Sequence, residues 1–196
     1  MVLGVFVLDA VRISMAAVGH RAFSSGSFTD KKWLMNTVVS VIAFASLSII
    51  IQSWFSSSNH IAKPYSKAVN DVIRFAFIYL ICKLTVGGPF WQRPELSEKD
   101  SDVIDYAKDA GIFIGAIALY DILLDESVSN MLSGIFEGKI QAGLTEGLKW
   151  FFVFAIHNLL TGGKFSNDWV LQTLGFAAGF AAYELAIGDA LHKAIY

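Results

Sequence analysis

The chain has 196 residues, of which 55% are hydrophobic and 16% are charged, and its formal net charge is -2. Soluble domains carry about 25% charged residues, so this composition favours one domain in a lipid bilayer over a soluble core. The absence of a basic run excludes the charge pattern of nucleic-acid binding, and the single cysteine, Cys82, excludes both an intrachain disulfide and a cysteine-based metal site.

The first half of the chain contains three candidate membrane spans. Residues 2–18 form an apolar run broken by Asp9 and Arg12, so this segment either crosses the bilayer or lies in its interface. Residues 33–55 contain no charged side chain and end in two aromatic residues, which predicts a spanning helix. A further span is predicted over about 67–86, which a Gly-Gly-Pro sequence ends.

The second half contains one hydrophilic stretch and three further apolar segments. Residues 91–109 are polar and charged, and we expect an extramembrane loop there that could dock a soluble partner. Residues 110–124 form a short apolar span. Residues 128–144 place apolar side chains at helical spacing between polar ones, as in a helix lying in the interface plane. Two more spans are predicted over 146–161 and 169–188.

Similar motifs recur three times in the same order, each unit holding an acid-x-x-base step, a later Gly-x-Phe and a second apolar helix. Chance recurrence in an apolar chain is the alternative interpretation. The repeat predicts an all-α, multi-pass transmembrane helical bundle of five or six spans, with residues 1–196 as a single membrane domain. Its three tandem helical hairpins would cover about 2–55, 67–124 and 146–189. The acid-x-x-base steps are Asp9-Arg12, Asp71-Arg74 and Glu146-Lys149.

Two of the predicted spans carry small residues at a spacing that lets helix backbones approach closely in lipid. These are Gly111 with Gly115 and Gly175 with Gly179. We expect both pairs to act in helix packing.

Ionisable residues at membrane depth are the candidate functional residues, because each is costly in hydrocarbon without a partner or a wet cavity. They form a possible polar or ion path. The acid-x-x-base steps also fit intrahelical ion pairs, and a lone histidine usually hydrogen-bonds to a neighbouring helix. The candidates are Asp121, Glu184, Asp71, Arg74 and His157.

Sequence motifs for hydrolases, zinc proteases and phosphate-binding loops do not occur in the chain. We therefore expect no catalytic residue, no cofactor and no metal site. The expected function is a non-enzymatic structural or assembly subunit of a larger membrane complex, in an organelle or a virion membrane layer. Its expected partners are the lipid bilayer and other membrane proteins or copies of itself, with no nucleic acid. The alternative is a small proton or cation channel or transporter using Asp121 and Glu184, and a weaker one is a lipid-modifying membrane enzyme.

Overall fold

The computed structural model describes residues 2–55, 65–92, 96 and 102–195. Every regular element in these ranges is helical, and a π-helical turn at Tyr183–Ile187 interrupts the last helix. The helices are α1 (Val2–Ala22), α2 (Lys31–Phe55), α3 (Tyr65–Thr85), α4 (Val103–Leu123), α5 (Asp125–Ser133), α6 (Gly138–Leu160) and α7 (Asn167–Ile195). The predicted fold class is therefore confirmed as all-helical.

The six long helices close into a ring. Along the ring α1 contacts α2, α2 contacts α3, α3 contacts α4, α4 contacts α6, α6 contacts α7, and α7 returns to α1. The last contact is antiparallel, because Gly19 of α1 lies against Gly175 of α7 while Met15 lies against Gly179. One end of the bundle, the tip end, therefore holds the turns α1–α2, α3–α4 and α6–α7, and the opposite end is the base end.

Among the described residues, three helices are long and apolar enough to cross a membrane, fewer than the five or six spans predicted from the sequence. They are α1 over Leu3–Ala22, α2 over Lys31–Ile51 and α7 over Asn167–Ile195. The other long helices have 21, 21 and 23 residues but carry more charge or less hydropathy. Several of those charges face the inside of the ring, where Asp109, Asp121 and Lys149 are buried.

Two predicted boundaries are wrong. The hydrophilic loop predicted over 91–109 is shorter, because Trp91 and Gln92 are buried and α4 is helical from Val103. Residues 93–95 and 97–101 of this loop lie outside the described residues. The interfacial helix predicted over 128–144 is not one helix, because α5 ends at Ser133 and α6 begins at Gly138.

The centre of the ring is filled by aromatic side chains, and part of them comes from the α3–α4 turn. Gly87 adopts a φ of 98°, and the residues that follow it, 88–92, fold inward and are buried. The Trp91 ring packs against Phe75, Phe113 and Phe176 from three different helices, with centroids 5.8 to 6.2 Å apart. The turn therefore acts as a plug that joins three helices through one side chain.

Candidate functional site

The base half of the bundle holds a buried ion-pair cluster centred on Lys149 of α6. Its Nζ lies 2.6 Å from Oδ2 of Asp71 on α3 and 2.8 Å from Oδ1 of Asp121 on α4. The side chains of Lys149 and Asp121 are only 4% and 0% exposed. One ammonium group thus connects three helices, with its charge compensated by two carboxylates.

A second basic residue, Arg12 of α1, occupies a comparable position on the other side of the ring. Its guanidinium pairs with Glu146 of α6, and its Nη2 lies 3.3 Å from Oε1 of Glu184 on α7. The same guanidinium packs over the Phe180 ring, 5.4 Å from the centroid. Arg12 therefore joins α1 to both helices of the third predicted hairpin.

The two clusters share one arrangement. Lys149 pairs with one acid on each helix of the second hairpin, just as Arg12 pairs with one acid on each helix of the third. Arg74 completes the acid-x-x-base series, but its neighbour α2 carries no acid, and its guanidinium lies 5.5 Å from the centroid of Phe44. Among the described residues its Nε has no hydrogen-bond partner. The sequence repeat itself stays a prediction.

For two of the acid-x-x-base steps, the expected intrahelical ion pair is wrong. In the described part of the chain, Arg12 and Lys149 bond to carboxylates of other helices instead of the acid three residues before them. Packing explains this: a ring of six helices brings two carboxylates close to each base, and buried charges need close partners in low dielectric. At the base-end rim, Lys67 adds a bond of 2.7 Å to Asp125.

The tip end contains a cavity of about 330 Å³ between the ends of the helices. Its walls combine aromatic rings with amide, imidazole and carboxylate groups. The polar groups come from α1, the α3–α4 turn, α4, α6 and α7, so the cavity forms only when the ring is closed. They include His20, Gln92, Asp109, His157 and Asn158.

A carboxylate organises the polar side of this cavity. Asp109, which is 3% exposed, accepts from Nε2 of Gln92 at 3.4 Å and lies 3.1 Å from Nε2 of His157. A carboxylate can only accept, so His157 presents an N–H to it. The helix α4 positions Asp109 in register with Phe113, one turn later, whose ring is 5.4 Å from the His157 ring.

The α1–α2 turn closes the cavity on one side. Arg21 donates from Nε to the Ser27 carbonyl oxygen at 2.9 Å, and its Nη2 lies 3.3 Å from Oδ2 of Asp30. Asp30 also caps α2, accepting from the backbone N–H groups of Trp33 and Lys32. The hydrogen bond from the Trp33 N–H is the main cause that lowers the pKa of Asp30, with smaller contributions from Lys32 and Arg21.

The structure divides the candidate residues predicted from sequence between the two ends. Asp71, Asp121 and Glu184 lie in the ion-pair clusters, Arg74 lies beside them, and His157 lines the tip-end cavity. Sequence reasoning missed His20, Gln92, Asp109 and Asn158 as cavity residues. One signal pointed to Asp109: helical spacing places it on the same face as Phe113, Ala116 and Tyr120, once α4 is started at its capping residue, Asp102.

The two glycine pairs have different surroundings. A Cβ added to Gly175 or Gly179 would collide with backbone carbonyl groups of Gly19 or Met15 in α1. A Cβ added to Gly111 or Gly115 would meet nothing within 4 Å among the described residues. The first pair is therefore used inside the bundle, and the second faces outward.

Among the described residues no group of three or more His, Cys, Asp or Glu side chains could hold a metal ion. The chain matches no known protein family, no curated protein and no solved structure.

Proposed function

We propose that the chain is a multi-pass integral membrane protein whose six long helices all cross the bilayer. The exposed surface supports this, because each of the six carries large apolar side chains that water would not favour. Asp109 and Asp121 of α4 and Lys149 of α6 are buried and paired, so these charges would not meet lipid. Exposed examples on α1 to α4, α6 and α7 are Val18, Ile42, Leu80, Leu119, Leu159 and Leu174.

Within that membrane we propose a non-enzymatic structural role, as an assembly subunit of a larger complex. The observation that carries this is the contrast between the two glycine pairs: α1 fills the Gly175–Gly179 face, whereas the Gly111–Gly115 face is open. The face continues through Ile104 and Leu119, which are 65% and 45% exposed. Its occupant would be an apolar transmembrane helix of another subunit, either a different protein or a second copy.

The ion-pair clusters favour this role over a channel. Asp121 and Glu184 each pair with a basic residue from another hairpin, so they act as contacts between helices and their charges are compensated inside the bundle. A proton or cation path through them would require these pairs to break. The channel is therefore the second candidate function, and a measurement of proton or cation flux distinguishes it from the assembly role.

The test is extraction of the protein from its native membrane in mild detergent, followed by measurement of its mass. We expect the parent chain to migrate in a complex far above its own 21.5 kDa. Gly111→Leu and Gly115→Leu should release it from that complex, because a larger side chain blocks close backbone approach. The matched control is Ala76→Leu, which adds the same bulk to an exposed position of α3.

Two results would overturn the proposal. One is a parent chain that migrates as a monomer whether or not Gly111 is replaced. The other is proton or cation flux in proteoliposomes that Asp121→Asn and Glu184→Gln abolish, which would establish the channel instead.

A further inference from the structure

The tip-end cavity is surrounded by buried polar atoms that lack hydrogen-bond partners. Among the described residues these include Oε1 of Gln92, Nδ2 of Asn158 and Nδ1 of His20, all three on side chains that line the cavity. Buried polar atoms in folded proteins are nearly always hydrogen-bonded, so each such atom needs an explanation. Three of them around one cavity indicate a molecule that supplies the missing bonds.

The bonds already present fix what that molecule must offer. Because Asp109 can only accept, Gln92 turns its amide nitrogen toward it and leaves its Oε1 as a buried acceptor with no partner among the described residues. Asn158, 7% exposed, adds an unused N–H donor. A complementary ligand therefore carries a donor for Gln92 and an acceptor for Asn158.

The walls of the cavity specify the shape of the ligand. Aromatic rings line the cavity from several helices, and rings accept flat partners by offset or edge-to-face stacking. A volume of about 330 Å³ lies at the lower end of the range for small-molecule sites, roughly 300–1,000 Å³, which suits one or two fused rings. The aromatic residues among the lining are Trp33, Tyr79, Phe90, Trp91, Phe113, Phe154 and Trp169.

The charges exclude an anionic ligand. Arg21 is the one Lys or Arg among the described lining residues, and it is bonded to the Ser27 carbonyl and Asp30. The Asp109 carboxylate would repel a phosphate or carboxylate. The ligand therefore carries no negative charge.

The hydroxyl groups favour binding over nucleophilic chemistry. Ser24 donates to the Arg21 carbonyl, and Thr161 donates to the His157 carbonyl. No hydroxyl among the described residues is hydrogen-bonded to the His157 ring, which bonds to Asp109 instead. An activated nucleophile would need a hydroxyl next to that base.

From this geometry we infer that the tip-end cavity is a binding site for a planar, one- or two-ring heteroaromatic compound without negative charge, with an N–H donor beside a carbonyl acceptor. Gln92 and Asn158 hydrogen-bond to the polar edge of the ligand, and the aromatic side chains of the walls stack on the faces of its ring. Asp109 holds His157 in place. The site lies at the opposite end of the bundle from the ion-pair clusters and does not depend on the assembly role.

The direct test uses 2-quinolone, which has this donor and acceptor on one edge, and naphthalene, which has the same shape without them. Binding to the full chain in lipid nanodiscs is measured by ligand-observed magnetic resonance, with empty nanodiscs subtracted. We expect saturable binding of 2-quinolone at least tenfold tighter than that of naphthalene. Equal affinity for the two, or no saturable binding of 2-quinolone because the cavity holds only water, would overturn the proposal.

Two variants locate the site. Gln92→Leu and Asn158→Leu each remove one partner of the polar edge and should weaken 2-quinolone binding at least tenfold while leaving naphthalene binding within about twofold. Asn130→Leu, the same change at an exposed position of α5, should alter neither. Retained naphthalene binding shows that a variant is folded. Unchanged 2-quinolone affinity in both folded cavity variants would refute the assignment. If neither variant folds, the comparison of 2-quinolone with naphthalene on the parent chain decides.

Discussion

Nζ of Lys149 on α6 lies 2.8 Å from Oδ1 of Asp121 on α4, with neither side chain more than 4% exposed. Lys149→Met removes the nearest counter-charge of Asp121 and Asp71, and we expect a loss of about 3–5 kcal/mol in the free energy of unfolding. Reversible denaturation in detergent measures this loss. Adding Asp71→Asn and Asp121→Asn should restore part of it, because neutral amides cost less to bury.

Lys139→Met is the matched control for that variant. Its ion pair with Asp189 has a separation of 3.2 Å but joins side chains that are 51% and 60% exposed. Exposed pairs contribute about 0–1 kcal/mol, so the change should be small. Equal effects of the two substitutions would show that the buried cluster does not stabilise the ring.

Gly179→Ala should destabilise the bundle, because its Cβ would collide with the Met15 carbonyl of α1 and two backbones would have to separate. We expect a cost of about 1–3 kcal/mol, typical of overpacking, in the same denaturation assay. Gly115→Ala adds the same methyl group to a face with open space and should leave stability nearly unchanged. The prediction fails if the two variants unfold together.

Trp91→Ala tests the inward-folded α3–α4 turn. The side chain is 7% exposed, and its Nε1 donates to the Tyr79 hydroxyl at 3.2 Å. Removing it should cost about 3–5 kcal/mol of unfolding free energy, as for other buried large-to-small changes. Phe165→Ala, at a position 50% exposed, serves as the control, and a Trp91→Ala variant as stable as that control would place the turn outside the core.

Asp30→Ala removes the cap of α2 and should lower the thermal midpoint at neutral pH by roughly 2–4 °C. The pKa of Asp30 is lowered in the folded protein, so its stabilisation is present above the unfolded pKa and is lost as pH falls through the folded one. The midpoints of parent and variant should therefore converge as pH falls below the ordinary aspartate pKa of about 3.9. A difference that persists there would exclude the carboxylate as its source.

The sequence predicted some elements closely because local signals were sufficient. The uncharged run of residues 33–55 corresponds to α2 at Lys31–Phe55, where no charge confuses the pattern. The starts of α4 and α6 were placed seven to eight residues late, at 110 and 146 instead of Val103 and Gly138. Charged residues near the starts of these two helices are typical of a loop or a membrane interface, although Asp109 is in fact buried.

Pairing between helices could not be predicted from the same signals. The sequence shows an acid three residues before Lys149, and the intrahelical pair is the obvious reading. The choice of Asp71 and Asp121 instead depends on which helices become neighbours when the ring closes. The tip-end cavity depends on the same closure, and its residues are spread from His20 to Thr173.

The closure of α1 on α7 also sets an order of events during synthesis. Arg12 leaves the ribosome long before Glu146, its ion-pair partner 134 residues further along the chain. At 5–20 residues per second this gap lasts on the order of ten seconds. Throughout that interval the guanidinium has neither carboxylate available, so α1 can form its ion pairs with α6 and α7 only after both of those helices have been translated.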